Sequence, residues 1–135
     1  MLTRVVFLQL GIEEIHLNGL THDPTTEEEF DVITYDSQTR VTWDDFLAFF
    51  TSIRTQTMLY ALRMFRDEEL KHTDWVMTYD NTQTLQNIDE WIVYRQYLRD
   101  LPTVTLEYKY TSENTPDVLN MDIPKRPNVI RKQNQ

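Results

Sequence analysis

The sequence contains no cysteine and only 2 glycines in 135 residues. Without cysteine there is no disulfide and no thiolate metal site, so packing and hydrogen bonds alone must hold the fold. Two glycines cannot build a glycine-rich phosphate loop. They also leave little provision for tight turns, which favours long elements. No stretch approaches the roughly 20 apolar residues of a membrane span. The run Val5-Val6-Phe7-Leu8 is too short for a secretion-signal core, and Glu13 and Glu14 follow it. The expectation is a chain made and used in the cytoplasm, or built into something assembled there. Positive charge is also short: 13 Lys and Arg stand against 22 Asp and Glu, a net charge of -9. Such a surface argues against nucleic acid as the main partner and, less strongly, against an anionic membrane.

Apolar residues make up 40% of the chain and charged residues 26%. That balance is ordinary for a globular protein and argues against global disorder. One domain carrying an arm is expected. Residues 2–10 are rich in branched apolar side chains and read as a buried strand, which Gly11 interrupts. Thr25-Thr26-Glu27-Glu28-Glu29 has the composition of a capped helical turn. The segment 30–35 (FDVITY) reads as a second strand by propensity.

The clearest helix begins at Thr42, a hydroxyl N-cap followed by Asp44 and Asp45 in the first turn, where the helix dipole favours them. Phe46, Phe49, Phe50 and Ile53 share one apolar face, and Leu59, Leu62, Phe65 and Leu70 share another, roughly continuous with it. The segment Thr55-Gln56-Thr57 has low helix propensity, with β-branched threonines, and leaves room for a kink or break. A second helix fits residues 85–100, with Ile88, Trp91, Ile92, Arg95 and Leu98 on one face and Thr84 or Asn87 as its cap. Pro102 ends it. Over residues 103–110 the period changes to 2, with Val104, Leu106, Tyr108 and Tyr110 on one side. This predicts a strand, with residues 2–10 as a candidate partner.

The C-terminal stretch differs from the rest. Pro116, Pro124 and Pro127 punctuate it, and all four charges after Pro124 are positive, so the remainder of the chain carries -13. It reads either as a disordered tail or as a docking strap held by a partner. As a strap it would contribute to partner capture and not to stability.

A tryptophan stands in the polar connection between the two helices, in Thr73-Asp74-Trp75. The connection is about a dozen residues long and is compatible with antiparallel neighbours. Trp75 is expected to fold back as a plug over the open end of the pair, its indole N–H reaching a carbonyl or carboxylate. Thr73 and Asp74 are expected to fix the turn. Arg95 and Arg99 are placed to pair with Asp74, Glu69 or Asp100.

The order of these residues resembles the phage tail assembly chaperone family. Arg66, Leu70 and Thr73-Asp74-Trp75 are followed by Asp80, then by Trp91, Tyr94-Arg95-Gln96 and Leu98-Arg99-Asp100-Leu101-Pro102. The family's pattern is R…LL..TDW…D…W..YRQALRD[IL]P, and the resemblance covers about residues 61–102. TDW alone is unspecific, and the closing YRQYLRDLP makes the match. The chain departs from the pattern at Asp67-Glu68-Glu69-Leu70, where a basic or polar residue and a second leucine are usual. The resemblance implies a helper in tail or tail-fibre assembly with no enzyme activity. It carries over no catalytic residue.

The residues themselves offer little catalytic chemistry. Glu13, Glu14 and His16, then His22 and Asp23, then Glu69, His72 and Asp74 lie close in sequence, but at spacings of no established metal motif. Ser37, Ser52 and Ser112 lack a nucleophile context. An acidic metal-dependent enzyme stays as a remote alternative, and no cofactor is expected.

The expected fold is α+β, an antiparallel helical hairpin packed on a small β-sheet with an extended C-terminal arm. Its regions are a strand and loop region at 1–42, a helical region at 43–102, a strand at 103–110 and the basic arm at 111–135. The expected function is non-enzymatic protein binding in phage tail or tail-fibre assembly. The alternative is a permanent virion subunit of the tail, baseplate or fibre attachment. The expected partner is a tail, tail-fibre or baseplate protein, with self-association within the tail as a further option. The expected place is the host cytoplasm during assembly or the virion tail. Candidate binding residues are Thr73, Asp74, Trp75, Trp91, Tyr94, Arg95, Arg99 and Asp100 in the motif. Trp43, Phe46 and Phe50 form an aromatic group, and Lys125, Arg126 and Arg131 belong to the arm.

Overall fold

The computed structural model describes residues 1–104 and 106–133. It is a mixed helix and sheet fold. In order it contains α1 (Thr3–Gln9), β1 (Ile15–His16), α2 (Glu27–Asp31), β2 (Thr34–Tyr35), α3 (Trp43–Thr73), α4 (Tyr79–Thr84) and α5 (Ile88–Asp100). Short 3₁₀ turns cover Asp74–Met77, Leu101–Thr103 and Val118–Asn120. Two compact units divide the chain. The first is Met1–Met58 with Tyr110–Pro116, and the second is Leu59–Lys109 with Asp117–Gln135. The division falls inside α3, so the expected helical region 43–102 contributes to both units.

In the first unit, residues 3–9 form a helix where a strand was expected. Thr3, Val6 and Phe7 are buried while Val5 and Leu8 are exposed, which is a helical spacing and not an alternating one. The signal that decides this lies far along the chain. The Asp23 carboxylate accepts the Leu2 amide at 3.0 Å, and the Thr3 amide and hydroxyl at 2.8 and 2.6 Å. A remote carboxylate thus satisfies the free amides that open α1, as a local cap would. The helix stops at Gly11, whose φ is +83°. The Gly11 amide bonds back to the Leu8 carbonyl at 3.0 Å and the Ile12 amide to that of Phe7 at 2.9 Å. This is a Schellman stop, and Ile12 and Phe7 share the same core.

The sheet is a two-stranded antiparallel pair, with Ile15 opposite Tyr35 and His16 opposite Thr34. The expected strand at 30–35 is split. Thr26 caps α2 by accepting the Glu29 amide at 3.2 Å, and that helix takes Phe30 and Asp31, leaving Thr34 and Tyr35 as β2. Val6, Phe7, Ile12, Ile15, Phe30, Ile33, Val41 and Phe46 make one core. The rings of Phe7, Phe30 and Phe46 meet at 5.1 to 6.3 Å.

Helix α3 runs unbroken from Trp43 to Thr73. Thr42 caps it, its hydroxyl accepting the Asp45 amide at 3.1 Å. The break allowed for at the threonines does not occur. The Thr57 hydroxyl bonds back to the Arg54 carbonyl at 2.9 Å, and this local bond is made within helical geometry.

The strand expected at 103–110 also differs. Thr105 lies outside the described residues. Among the described ones, Thr103 closes a 3₁₀ turn and Tyr110 makes a single bridge to Pro116. An alternating segment needs a ladder partner, and residues 2–10, the candidate, are helical. Tyr110 is committed to α3 instead. Its ring lies 3.7 Å from the Arg54 guanidinium and its hydroxyl donates to the Arg54 carbonyl at 3.3 Å.

In the second unit, Val76, Leu85, Trp91, Tyr94 and Leu98 form a separate core, with Phe65 and Leu70 of α3 and Ile88 of α5 against it. The buried face of α5 is Trp91, Tyr94, Arg95 and Leu98. Tyr94 takes the place expected for Ile92, which is exposed.

Candidate binding site

The site of the second unit is built on Arg95. Its side chain is buried, where an unpaired charge is costly. One guanidinium nitrogen donates to the Leu70 carbonyl at 3.0 Å and to the Thr73 hydroxyl at 2.7 Å. Another meets the Asp74 carboxylate at 2.7 Å. The Thr73 hydroxyl in turn donates to the Glu69 carbonyl at 2.7 Å. Thr73 is itself buried. Together these groups seal the exposed carbonyl end of α3 with a cation, a favourable charge for a helix C-terminus.

Trp75 is not the expected plug. It is 36% exposed, and Val76 and Leu85 are the fully buried side chains of the connection. Asp74–Met77 forms a 3₁₀ turn, which turns Val76 inward and leaves its neighbours outside. Trp75 keeps an edge-to-face contact with Trp91 at 5.6 Å, and its backbone carbonyl accepts the Asn81 side-chain amide at 2.8 Å. Trp75, Met77 and Tyr79 form an exposed apolar stretch.

The other expected site residues fall into distinct places. Trp91 and Tyr94 are buried on α5. Arg99 is exposed in the last turn of α5, and Asp100 accepts the Gln96 side-chain amide at 3.2 Å. Trp43 and Phe50 pack against the core of the first unit, and Phe46 is fully inside it. Phe46 is therefore core and not contact surface. Phe49, expected on the apolar face with Phe46 and Phe50, instead faces outward on that helix, as does Leu47.

The arm lies along its own unit. Arg126 holds Glu69 through two bonds, at 2.8 and 2.6 Å. Glu69 also accepts the Tyr94 hydroxyl at 2.6 Å. The Arg126 guanidinium, aided by Tyr94, keeps the Glu69 carboxyl below the usual carboxylate range, and partial burial only offsets this. Burial, and then the Glu69 carboxylate, push the Tyr94 phenol well above its ordinary value, so it stays a donor. Arg131 donates to the Asn81 side-chain carbonyl at 2.6 Å and to the Thr84 hydroxyl at 2.9 Å. Lys125 is exposed and lines, with Glu69, Tyr94 and Met121, a cleft of about 290 Å³.

Backbone pairing continues this attachment. The Gln86 amide donates to the Ile130 carbonyl at 2.7 Å, and the Lys132 amide to the Thr84 carbonyl at 2.8 Å. Of Thr84 and Asn87, the two residues considered as the cap of α5, Asn87 holds that position but makes no side-chain cap bond. It grips the arm, its amide donating to the Asn128 carbonyl at 2.6 Å and its oxygen accepting the Ile130 amide at 3.4 Å. The cap composition was legible in the sequence, but its use by a segment 41 residues away was not.

Residues from two of the three clusters weighed as metal ligands are otherwise engaged. Asp23 caps α1, His22 meets Glu29 at 3.0 Å, and Glu69 and Asp74 are held by arginines. No three metal-ligating side chains converge among the described residues. No helix among the described residues is long and apolar enough to cross a membrane.

No curated protein and no solved structure matches the chain. The resemblance read from the TDW and YRQYLRDLP residues is borne out. Residues 59–107, which hold the second half of α3, α4 and α5, match the family model of the phage tail assembly chaperone protein, and this supports a role in phage tail assembly.

Proposed function

We propose that the protein acts without catalysis, by binding a tail or tail-fibre protein during phage assembly in the host cytoplasm. The observation that carries this reading is the family match over residues 59–107. The packing is consistent with a scaffold that presents a surface. Thr73, Trp91, Tyr94 and Arg95 are interior, and they hold the exposed Trp75, Met77 and Tyr79 at the end of α3. We assign the client contact to that exposed stretch. A large aromatic, a methionine and a tyrosine together suit protein contacts. The acidic body keeps the chaperone soluble and steers it to a basic client.

The second reading, a permanent subunit of the tail, baseplate or fibre attachment, draws on the arm. Leu119, Val129 and Ile130 are exposed along it and offer an apolar strip to a neighbouring subunit. Mass spectrometry of purified virions with copy numbers separates the two. Absence from virions with abundance in infected cells is expected for the chaperone. A symmetric copy number in the virion would overturn it in favour of the subunit.

A further inference from the structure

Beyond Pro124 the arm is held through hydrogen bonds of Arg126, Asn128, Ile130, Arg131 and Lys132. Val129 and Ile130 remain 53% and 41% exposed, so little apolar burial secures them. The backbone bonds of Gln86 with Ile130 and of Lys132 with Thr84 form a short antiparallel pairing centred on Leu85 and Arg131, and the Asn87 side chain bonds the arm's backbone at Asn128 and Ile130. Such bonds are indifferent to side chains, so any extended chain can take them. Selectivity rests at the two ends. Glu69 receives a guanidinium in a two-bond fork, and the Asn81 and Thr84 side chains receive another from Arg131. A forked carboxylate contact selects arginine over lysine. Trp75 lies 5.9 Å from the Arg131 guanidinium, at the outer end of the same line.

We propose that this line, from Glu69 through Asn87 and Gln86 to Thr84 and Asn81, is a peptide-recognition groove that the chain's own arm occupies in cis. Its occupant in trans is an extended client segment with two arginines spaced as Arg126 and Arg131 are. The arm is then a built-in competitor, released when a client segment offers the same two guanidinium groups at high local concentration. Charge complementarity supports this occupant, since residues 1–124 carry -13. The proposal rests on the reading of the protein as a binding protein. Its test is separate from the virion measurement, because it asks only what the groove accepts.

The experiment is fluorescence anisotropy of a labelled peptide of residues 123–133, titrated with the full chain and with its R126A/R131A variant. The variant is expected to bind the peptide about tenfold more tightly than the unaltered chain, the scale of losing two charge-assisted contacts in cis. Adding E69Q to the variant is expected to remove about tenfold of that affinity, by the same arithmetic. A peptide with glutamine in place of both arginines is expected to bind far more weakly. Equal binding of the glutamine peptide, or no uptake by a variant with native circular dichroism, would overturn the proposal. A dimer of the unaltered chain that R126A/R131A dissociates would also overturn it, because a second copy's arm would then be the occupant. Hydrogen exchange on the unaltered chain provides a reading even if the variant misfolds. The Gln86 and Lys132 amides are expected to exchange much faster than the Leu98 amide inside α5, and equal protection would mark the arm as a fixed part of the fold.

Discussion

Arg95 of α5 donates to the Thr73 hydroxyl at 2.7 Å, and both side chains are buried. The contact joins the end of α3 to the middle of α5 across 22 residues of sequence. It also explains the Thr-Asp pair before Trp75: Thr73 bonds inward and Asp74 accepts from the same guanidinium at 2.7 Å.

Arg95→Ala is expected to destabilise the protein by about 3 kcal/mol, because it removes the charged bonds to the Thr73 hydroxyl, the Leu70 carbonyl and Asp74 together with the packing of the buried arginine stem. Urea melts of the two proteins measure this. A loss below about 1 kcal/mol would show that the buried bonds do little for folding.

The partial exposure of Trp75 inverts the expectation for the connection. Leu85→Ala is expected to cost about 3 kcal/mol, as for a fully buried leucine, while Trp75→Ala costs about 1 kcal/mol. Parallel denaturant melts of the two variants decide it. A larger loss for Trp75→Ala would restore the plug.

Asp23 makes the stability of the first unit dependent on pH. Burial pushes its carboxyl up, but bonds from Thr3, Leu2 and Asn114 outweigh this and hold it below the ordinary value of 3.8. A depressed carboxylate contributes stability above its unfolded value, and the contribution is lost as pH falls through the lowered folded value. Asp23→Asn is therefore expected to melt below the unaltered protein near neutral pH, with the gap narrowing as pH falls below the ordinary value of 3.8. Melting curves across that range test this. A gap independent of pH would assign the effect to hydrogen-bond geometry alone.

Gly11 is the one glycine whose left-handed backbone ends a helix. Space is not its constraint, since a Cβ there meets nothing within 4 Å. Gly11→Ala is expected to cost about 1 kcal/mol through φ alone, and thermal melting checks it. No loss would mean that the Schellman stop tolerates a side chain.

Local chemistry was legible wherever its partners are near in sequence. The Thr42 cap, the long apolar face of α3, the end of α5 near Pro102 and the Thr26 cap all join groups within a few residues, so composition and spacing suffice for them. The motif at residues 61–102 was legible for the same reason, since its order is written in the chain.

The tertiary structure decided what depends on distant partners. Residues 2–10 have the composition of a buried strand, and Asp23 supplies the cap that opens a helix there. Residues 103–110 alternate as a strand does, but Tyr110 is drawn to Arg54 and the ladder partner is absent among the described residues. The arm reads as free or partner-bound, and Glu69, Asn81 and Asn87 bind it within its own unit. In each case local propensities differ by about 1 kcal/mol or less per residue, whereas one charged hydrogen bond brought in from elsewhere contributes as much or more. The sequence by itself determines the local preferences and the motif. Long-range capping and pairing determine which of those preferences is realised.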